Sequence, residues 1–505
     1  MLKNATHTAD SVSVNNPETL EAHFLPFRRR TIGIQQTYPT PYGKQKMIYA
    51  DWTASGRLYG PIEAAITEQF GPYMANTHSE SSLTGQTISQ AYKMARQIIK
   101  QHVNAGPDDI LMLTGSGMTS GINKLQRLLG LKVPEWQTAS LGFTERDRPV
   151  IFVSHMEHHS NHISWAETIG DVIMLEPGED GEVSPAQLER SLNLYKHRHF
   201  KIGAFTACSN VTGRTTPYHQ LAKVMHQHRG ICIVDFAASA PYVPIDMHPA
   251  QPLEQLDGIL FSPHKFLGGP GTCGVLIVRN SLCSHRIPDH VGGGTVDWVN
   301  PWGTKHYVRD MEKREDGGTP PIIQTIKTAL CMKLKEKMRP ELILAREHQL
   351  TVHLLRGLER IPGVDVLGAN SEDRLGIVSW IIQGYHYNLV VKLLSDRFGI
   401  QARGGCSCAG PYGHYLLGIT PELSRFIEQS VINGDYSFKP GWIRTSLHPI
   451  MTLQEVDDII HAVTEIARHI ETWQHDYIYN PLTNDWSHIH GQFIPDVAAM
   501  FEIRF

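Results

Sequence analysis

No stretch of this chain comes near the roughly 18 to 20 consecutive apolar residues that a spanning helix needs, so a membrane role is not expected. The opening residues, MLKNATHTADSVSVNN, lack the apolar centre of a secretory signal and read as a partly disordered lead-in. Neither sign of charge prevails: Lys+Arg total 46 against Asp+Glu 50, a net charge of -4. No global field therefore recruits nucleic acid or an anionic lipid surface. The Arg28-Arg29-Arg30 run reads as a solvated patch. Cysteine is sparse, seven in 505 residues, which excludes a disulfide framework and makes the cytoplasm the expected location. Cys208, Cys232, Cys273, Cys283 and Cys331 read as buried thiols. Internal repeats and low-complexity tracts are absent.

What the chain does have is alternation. Between about residues 90 and 280, the strand-length apolar runs DILML, PVIFVS, DVIML, KIGAFTA, ICIVDFA, GILFS and GVLIVR are separated, in several cases, by helix-like polar segments. That pattern predicts a mainly parallel α/β sheet covered by helices on both faces. Beyond about residue 330 a long helical stretch leads into LGIVSWIIQG, NLVVKLLSDRFGI and LQEVDDIIHAVTEIARHI, the texture of a smaller α+β domain. The expected division is a lead-in over 1–45, a large domain over 46–330, a small domain over 331–470 and a tail over 471–505.

Within FSPHKFLGGPG, Lys265 follows a short buried strand and precedes glycines that cannot continue it, which places an amine at a strand end. Three other segments fall at ends of the same strands, where open α/β sheets bind ligands. Residues 113–123, LTGSGMTSGIN, put Gly115, Gly117, Met118 and Thr119 at a strand-to-helix turn suited to a phosphate. Asp235 ends a buried strand, where a carboxylate needs a cationic partner. SHMEHHSNHISW carries His155, Glu157, His158 and His162. The His158 and His162 spacing admits a rival reading, a metal-dependent hydrolase. The alternative reading combines a lysine for an imine, an acid for a ring nitrogen, a phosphate cradle and a stacking imidazole. That is the inventory of a pyridoxal phosphate site.

The ordered motifs YADWTASG, NTHSESS, EHHSNHISW, CSNVTG, VDFAASA, FSPHKFLGGPGTCGVL, GGGT, DGGTPP, ARGGCSCAG and WIRTSLH span roughly residues 47 to 470. They resemble the class V aminotransferase-like group of fold-type I pyridoxal phosphate enzymes, and within it the SUF-type cysteine desulfurases and selenocysteine lyases. The resemblance implies a seven-stranded-type large-domain sheet and a Schiff base at Lys265, with His158 stacked on the ring, Asn210 near its hydroxyl and Asp235 on its nitrogen. It places Met118, Thr119, Ser262 and His264 at the phosphate. Thr295, in the GGGT motif, would reach a neighbouring subunit's phosphate, implying a homodimer with shared active sites. Arg444 would grip the substrate carboxylate, with Arg403 and His78 also at the substrate. Two departures bear on the substrate: Ala238 replaces a hydrogen-bonding residue after Asp235, and Ser79 stands where an arginine is usual.

Arg403-Gly404-Gly405-Cys406-Ser407-Cys408 matches the family's nucleophile loop with Cys408 in register, and its Gly-Cys-x-Cys form looks like the loop of molybdenum cofactor sulfurases. If this loop is extended, Cys406 and Cys408 project to opposite sides. The implied reaction removes sulfur from L-cysteine, with Lys265 as base and Cys408 as acceptor of a persulfide, which a sulfur-acceptor protein could then receive. A pyridoxal phosphate-dependent C–S lyase, another class V aminotransferase-type reaction on a sulfur-containing amino acid, and a cofactor-binding sulfur-transfer partner with little catalysis stand beside it.

Overall fold

The computed structural model describes residues 17–503 apart from 78, 79, 116, 139–141, 143, 369, 370, 492 and 493. The seven apolar runs form one sheet: β1 (Asp109–Thr114), β2 (Val150–Ser154), β3 (Asp171–Leu175), β4 (Lys201–Thr206), β5 (Ile231–Asp235), β6 (Gly258–Phe261) and β7 (Gly274–Arg279). Their order is β1-β7-β6-β5-β4-β2-β3. β7 runs antiparallel to both β1 and β6, and the remaining pairs are parallel. The expected mainly parallel α/β sheet is therefore what the chain forms.

Alternation within each strand explains why so many residues are buried. Ile151, Val153, Ile202, Ala204, Ile233 and Leu260 enter one apolar layer. Their neighbours Val150, Phe152, Phe205, Val234, Ile259 and Phe261 enter the other. Successive strand side chains point to opposite faces, so a sheet covered on both sides needs apolar residues at every position. Met118, Ile122 and Leu125 of α1 (Gly117–Leu128) supply one cover at helical spacing. β1 to β6 share one direction, so their C-terminal ends, together with the starts of α1 and of α2 (His159–Ala166), meet along one edge.

A second sheet is built from β8 (Val364–Val366), β9 (Ile377–Ile382), β10 (Arg403–Gly405) and β11 (Trp442–Ser446), in the antiparallel order β8-β9-β11-β10. α3 (Gly410–Leu416) follows β10, and α4 (Leu453–Trp473) opens on a capping box between Thr452 and Glu455. Among the described residues no helix is long and apolar enough to cross a membrane.

Two segments differ from the sequence reading. Pro17–Arg29 is a helix that buries Leu20, Phe24 and Phe27, and the adjacent arginine run is only partly solvated. Arg28 is buried and donates from Nη1 and Nη2 to the Glu455 carboxylate at 2.8 and 2.6 Å. The 471–505 tail, which shows no periodicity, contains a hairpin of Tyr477–Asn480 and Asp485–His488, held by Tyr477 to Asp396 and Trp486 to His386. Aromatic and polar side-chain contacts do the work that an apolar period would otherwise announce. Removing one partner of a buried ion pair leaves an uncompensated charge. Glu455→Ala is therefore expected to destabilise the protein by about 3–5 kcal/mol, read as a lowered midpoint in urea denaturation.

Candidate active site

The shared strand edge encloses a cavity of about 220 Å³ lined by Thr119, His158, Asn210, Asp235, Lys265 and Arg444, with Cys408 also on its wall. A larger, more open cavity of about 970 Å³ adjoins it across Thr119, but neither Lys265 nor Asp235 lines it. The smaller space brings Lys265, Asp235, His158 and Cys408 together and is the candidate site.

Lys265 closes a 3-10 turn, Pro263–Lys265, immediately after β6. The YADWTASG segment packs against this turn. Gly56 N donates to His264 O at 2.8 Å, and a Cβ on Gly56 would collide with the Phe266 carbonyl. Gly268 holds φ +83° while its N–H donates to Arg57 O at 2.7 Å, which accounts for a glycine just after the lysine. Burial pushes the Lys265 amine down to about 8, opposed by Asp235, and its Nζ has no hydrogen-bond or ion-pair partner among the described residues. Asp235 ends β5 with Oδ1 accepting from Ala237 N at 2.8 Å. Burial pushes its carboxyl up to about 6, against that hydrogen bond and the Lys265 charge, and among the described residues it has no ion pair.

The EHHSNH motif divides its labour. Glu157 is buried, accepts from Ser154 Oγ at 2.6 Å, Thr206 N at 3.0 Å and Asn161 Nδ2 at 2.7 Å, and so ties β2 to β4. His158 caps α2 through Nδ1, which accepts from Ser160 N at 3.1 Å, and lines the cavity. Burial, then the Lys265 charge, pulls its imidazole down to about 3, leaving it neutral. His155 turns toward Gly181 O and the rings of Tyr412 and Tyr415. Among the described residues no three His, Cys, Asp or Glu side chains converge as metal ligands would.

At the other end, Gly117 (φ +59°) opens α1, and a Cβ there would meet Ser262 Oγ at 2.8 Å. Met118 N donates to that same Ser262 oxygen at 2.9 Å, and Thr119 Oγ1 lies 2.7 Å from Ser160 Oγ. His264 lines the cavity, its imidazole drawn down to about 4 by burial and then by Lys265. Asn210 Nδ2 donates to Ser407 O at 2.7 Å, whereas its buried Oδ1 has no partner among the described residues. An amine without a hydrogen-bond partner, a carboxyl without an ion pair and an amide oxygen without a donor, each among the described residues, suit a flat ring bearing a carbonyl, a basic nitrogen and a hydroxyl.

Arg403 and Arg444 face each other across β10 and β11. Asp51 bridges them, accepting from Arg403 Nε at 3.1 Å and from Arg444 Nη2 at 2.9 Å. Arg444 Nη1 reaches Asn210 O at 3.1 Å, and its Nε is buried without a partner among the described residues. Asp51 escapes sequence reasoning because its partners lie 352 and 393 positions away. Thr53 and Cys208 also line the cavity, and burial drives the Cys208 thiol far up.

The Cys406 to Cys408 loop is not extended. Ser407 and Cys408 have φ of +51° and +57°, so a left-handed turn, rather than strand alternation, separates the two thiols. Cys408 is exposed at the cavity, while Cys406 is half-buried against the core near Tyr387. Ala238 also lines the cavity, its methyl offering no hydrogen bond. Thr295 does not line it: its buried hydroxyl donates to Gly292 O at 2.6 Å. His78 and Ser79 lie outside the described residues.

Comparison with known proteins gives the same neighbourhood. The chain is 28% identical over 374 residues to a protein of Halalkalibacterium halodurans named probable cysteine desulfurase, covering 73% of this chain and 86% of that one. A Streptomyces coelicolor protein of the same name is 25% identical over 396 residues, 77% and 90% of the two chains. In fold, the apo cysteine desulfurase of Thermococcus onnurineus NA1 matches with a TM-score of 0.70 at 23% identity, over 88% of this chain and 98% of that one. The Escherichia coli cysteine desulfurase CsdA matches with a TM-score of 0.66 at 22% identity, over 91% and 100%. The family model for class-V aminotransferases matches residues 48–459, most of the chain and every wall of the cavity just described, and the protein belongs to that family.

Proposed function

We propose that the protein is a pyridoxal 5'-phosphate-dependent cysteine desulfurase-like enzyme that takes sulfur from L-cysteine onto Cys408. The observation that carries the reading is the pairing of an unpartnered, half-buried Lys265 amine with an exposed Cys408 thiol on one 220 Å³ cavity. Lys265 would hold the cofactor covalently, Asp235 would keep a proton on its ring nitrogen, His158 would cover one ring face, and Met118, Thr119, Ser262 and His264 would hold its phosphate. When bound, pyridoxal phosphate supplies an electron sink for charge formed at the substrate α-carbon.

The chain's own groups would do the rest. Arg444, with Asp51 orienting its guanidinium, would bind the substrate carboxylate, with Arg403 beside it and His78 also at the substrate. Neutral Lys265 Nζ would take the α-proton. Cys408 thiolate would then attack the substrate sulfur. An S–S bond forms as the C–S bond breaks, the electron pair returns to the β-carbon, and protonation there yields alanine and a Cys408 persulfide. Exposure of Cys408 supports onward transfer of that sulfur to an acceptor thiol. A homodimer with shared sites belongs to the same proposal, supported by the exposed Val291, Trp298, Val299 and Trp302 around Thr295. Light scattering at two protein concentrations tests the dimer.

The purified protein should absorb in the violet and lose that band on borohydride treatment, and L-cysteine should give alanine. Pyruvate and ammonia instead of alanine would point to β-elimination. Asp235→Ala is expected to cut turnover roughly 10²- to 10³-fold, as removal of a preorganised electrostatic partner does. Steady-state alanine release, with fold monitored by circular dichroism, measures it.

A further inference from the structure

The nucleophile loop is held by the same helix start that presents His158 to the cavity. His159 N donates to Cys408 O at 2.7 Å, and Gly410 N donates to His159 Nε2 at 2.9 Å. Asn210 adds the Ser407 O contact at 2.7 Å. Between these anchors Ser407 and Cys408 both adopt left-handed φ, a conformation unfavourable for residues with a Cβ that persists only where the surroundings impose it. Space around the contact is tight: a Cβ on Gly410 would lie 3.1 Å from His159 Nε2. The imidazole can accept only while Nε2 is unprotonated. Burial, then His162 one turn along α2 and Lys439 ahead of β11, keeps its pKa below the ordinary histidine value. The neighbouring His158 ring lies 6.4 Å away.

We infer that His159 is a positioning residue for sulfur transfer, its neutral imidazole pinning the Cys408 turn through Gly410 so that the thiol stays at the cavity. This rests on the desulfurase reading, in which Cys408 receives the sulfur. His158 and His159, adjacent in sequence, then serve opposite partners: one faces the cofactor cavity and the other grips the nucleophile loop. The second histidine of the motif thereby gains a use that metal ligation does not supply.

The test compares the holoenzyme with His159→Ala and His159→Gln. The glutamine carbonyl can accept the Gly410 N–H but does not titrate. The alanine variant is expected to keep the cofactor absorbance and lose alanine formation by roughly 10²-fold, the effect of a nucleophile misplaced by about 1 Å. The glutamine variant should recover to within a few-fold of wild type. As pH falls, protonation of Nε2 removes the acceptor, so an acid limb of wild-type activity should be missing from the glutamine variant. Amide hydrogen exchange reads the loop directly, with Gly410 protected in wild type and the glutamine variant and fast in the alanine variant. Equal activity loss in both variants, or equal Gly410 protection in the alanine variant and wild type, overturns the inference. A wild-type enzyme that makes no alanine from cysteine rejects the functional reading instead, while exchange at Gly410 still decides the clamp.

Discussion

Lys265→Ala is expected to abolish borohydride-trappable cofactor and to lower alanine formation by about 10⁴-fold, the upper range for loss of a positioned acid–base group. The amine stands at the end of β6 in a turn braced by Gly56, and its Nζ has no hydrogen-bond or ion-pair partner among the described residues. Among the described residues no other lysine lines the 220 Å³ cavity to take its place. A pH dependence follows from burial, which lowers the amine to about 8. Only the neutral amine condenses with a carbonyl, so capture of pyridoxal phosphate by the apo-protein should quicken as pH rises through about 8. Stopped-flow absorbance measures this rate. Trapped cofactor on a residue other than Lys265 would defeat the assignment.

The second large effect belongs to the thiols. Cys408→Ser should remove alanine formation from cysteine while leaving the cofactor spectrum in place, because serine oxygen cannot accept sulfur as a thiolate does. Cys406→Ser should keep the first sulfur transfer. The physical ground is the turn at Ser407 and Cys408, which leaves Cys408 on the cavity wall and Cys406 against the core. Mass spectrometry of the cysteine-treated enzyme should find 32 Da added at Cys408, the mass of one sulfur atom on a thiol. A persulfide found only at Cys406 would transfer the nucleophile's role to that residue. Full alanine production by the double variant would exclude both thiols.

The large sheet, the lysine turn and the family's motifs are legible in the sequence because each is a local pattern. A strand buried on both faces must be apolar at every position, as in Val150–Ser154, and glycines must follow a lysine turn that another backbone approaches. These constraints act within a few residues, and they were sufficient to identify the ends of β1, β5 and β6 as the candidate site. The tertiary structure decided what depends on distant partners. Asp51 became the bridge between Arg403 and Arg444, Arg28 left solvent for Glu455, and His159 took hold of Gly410, 251 positions away. It also replaced the extended cysteine loop with a left-handed turn, closed by Ala409 N donating to Cys406 O at 3.0 Å and anchored from outside by α2 and Asn210. Hydrogen bonds and ion pairs between segments hundreds of residues apart leave no periodicity in either segment. Local sequence therefore determined the scaffold and the lysine at its strand end, and long-range packing determined how the cavity's charges and thiols are aimed.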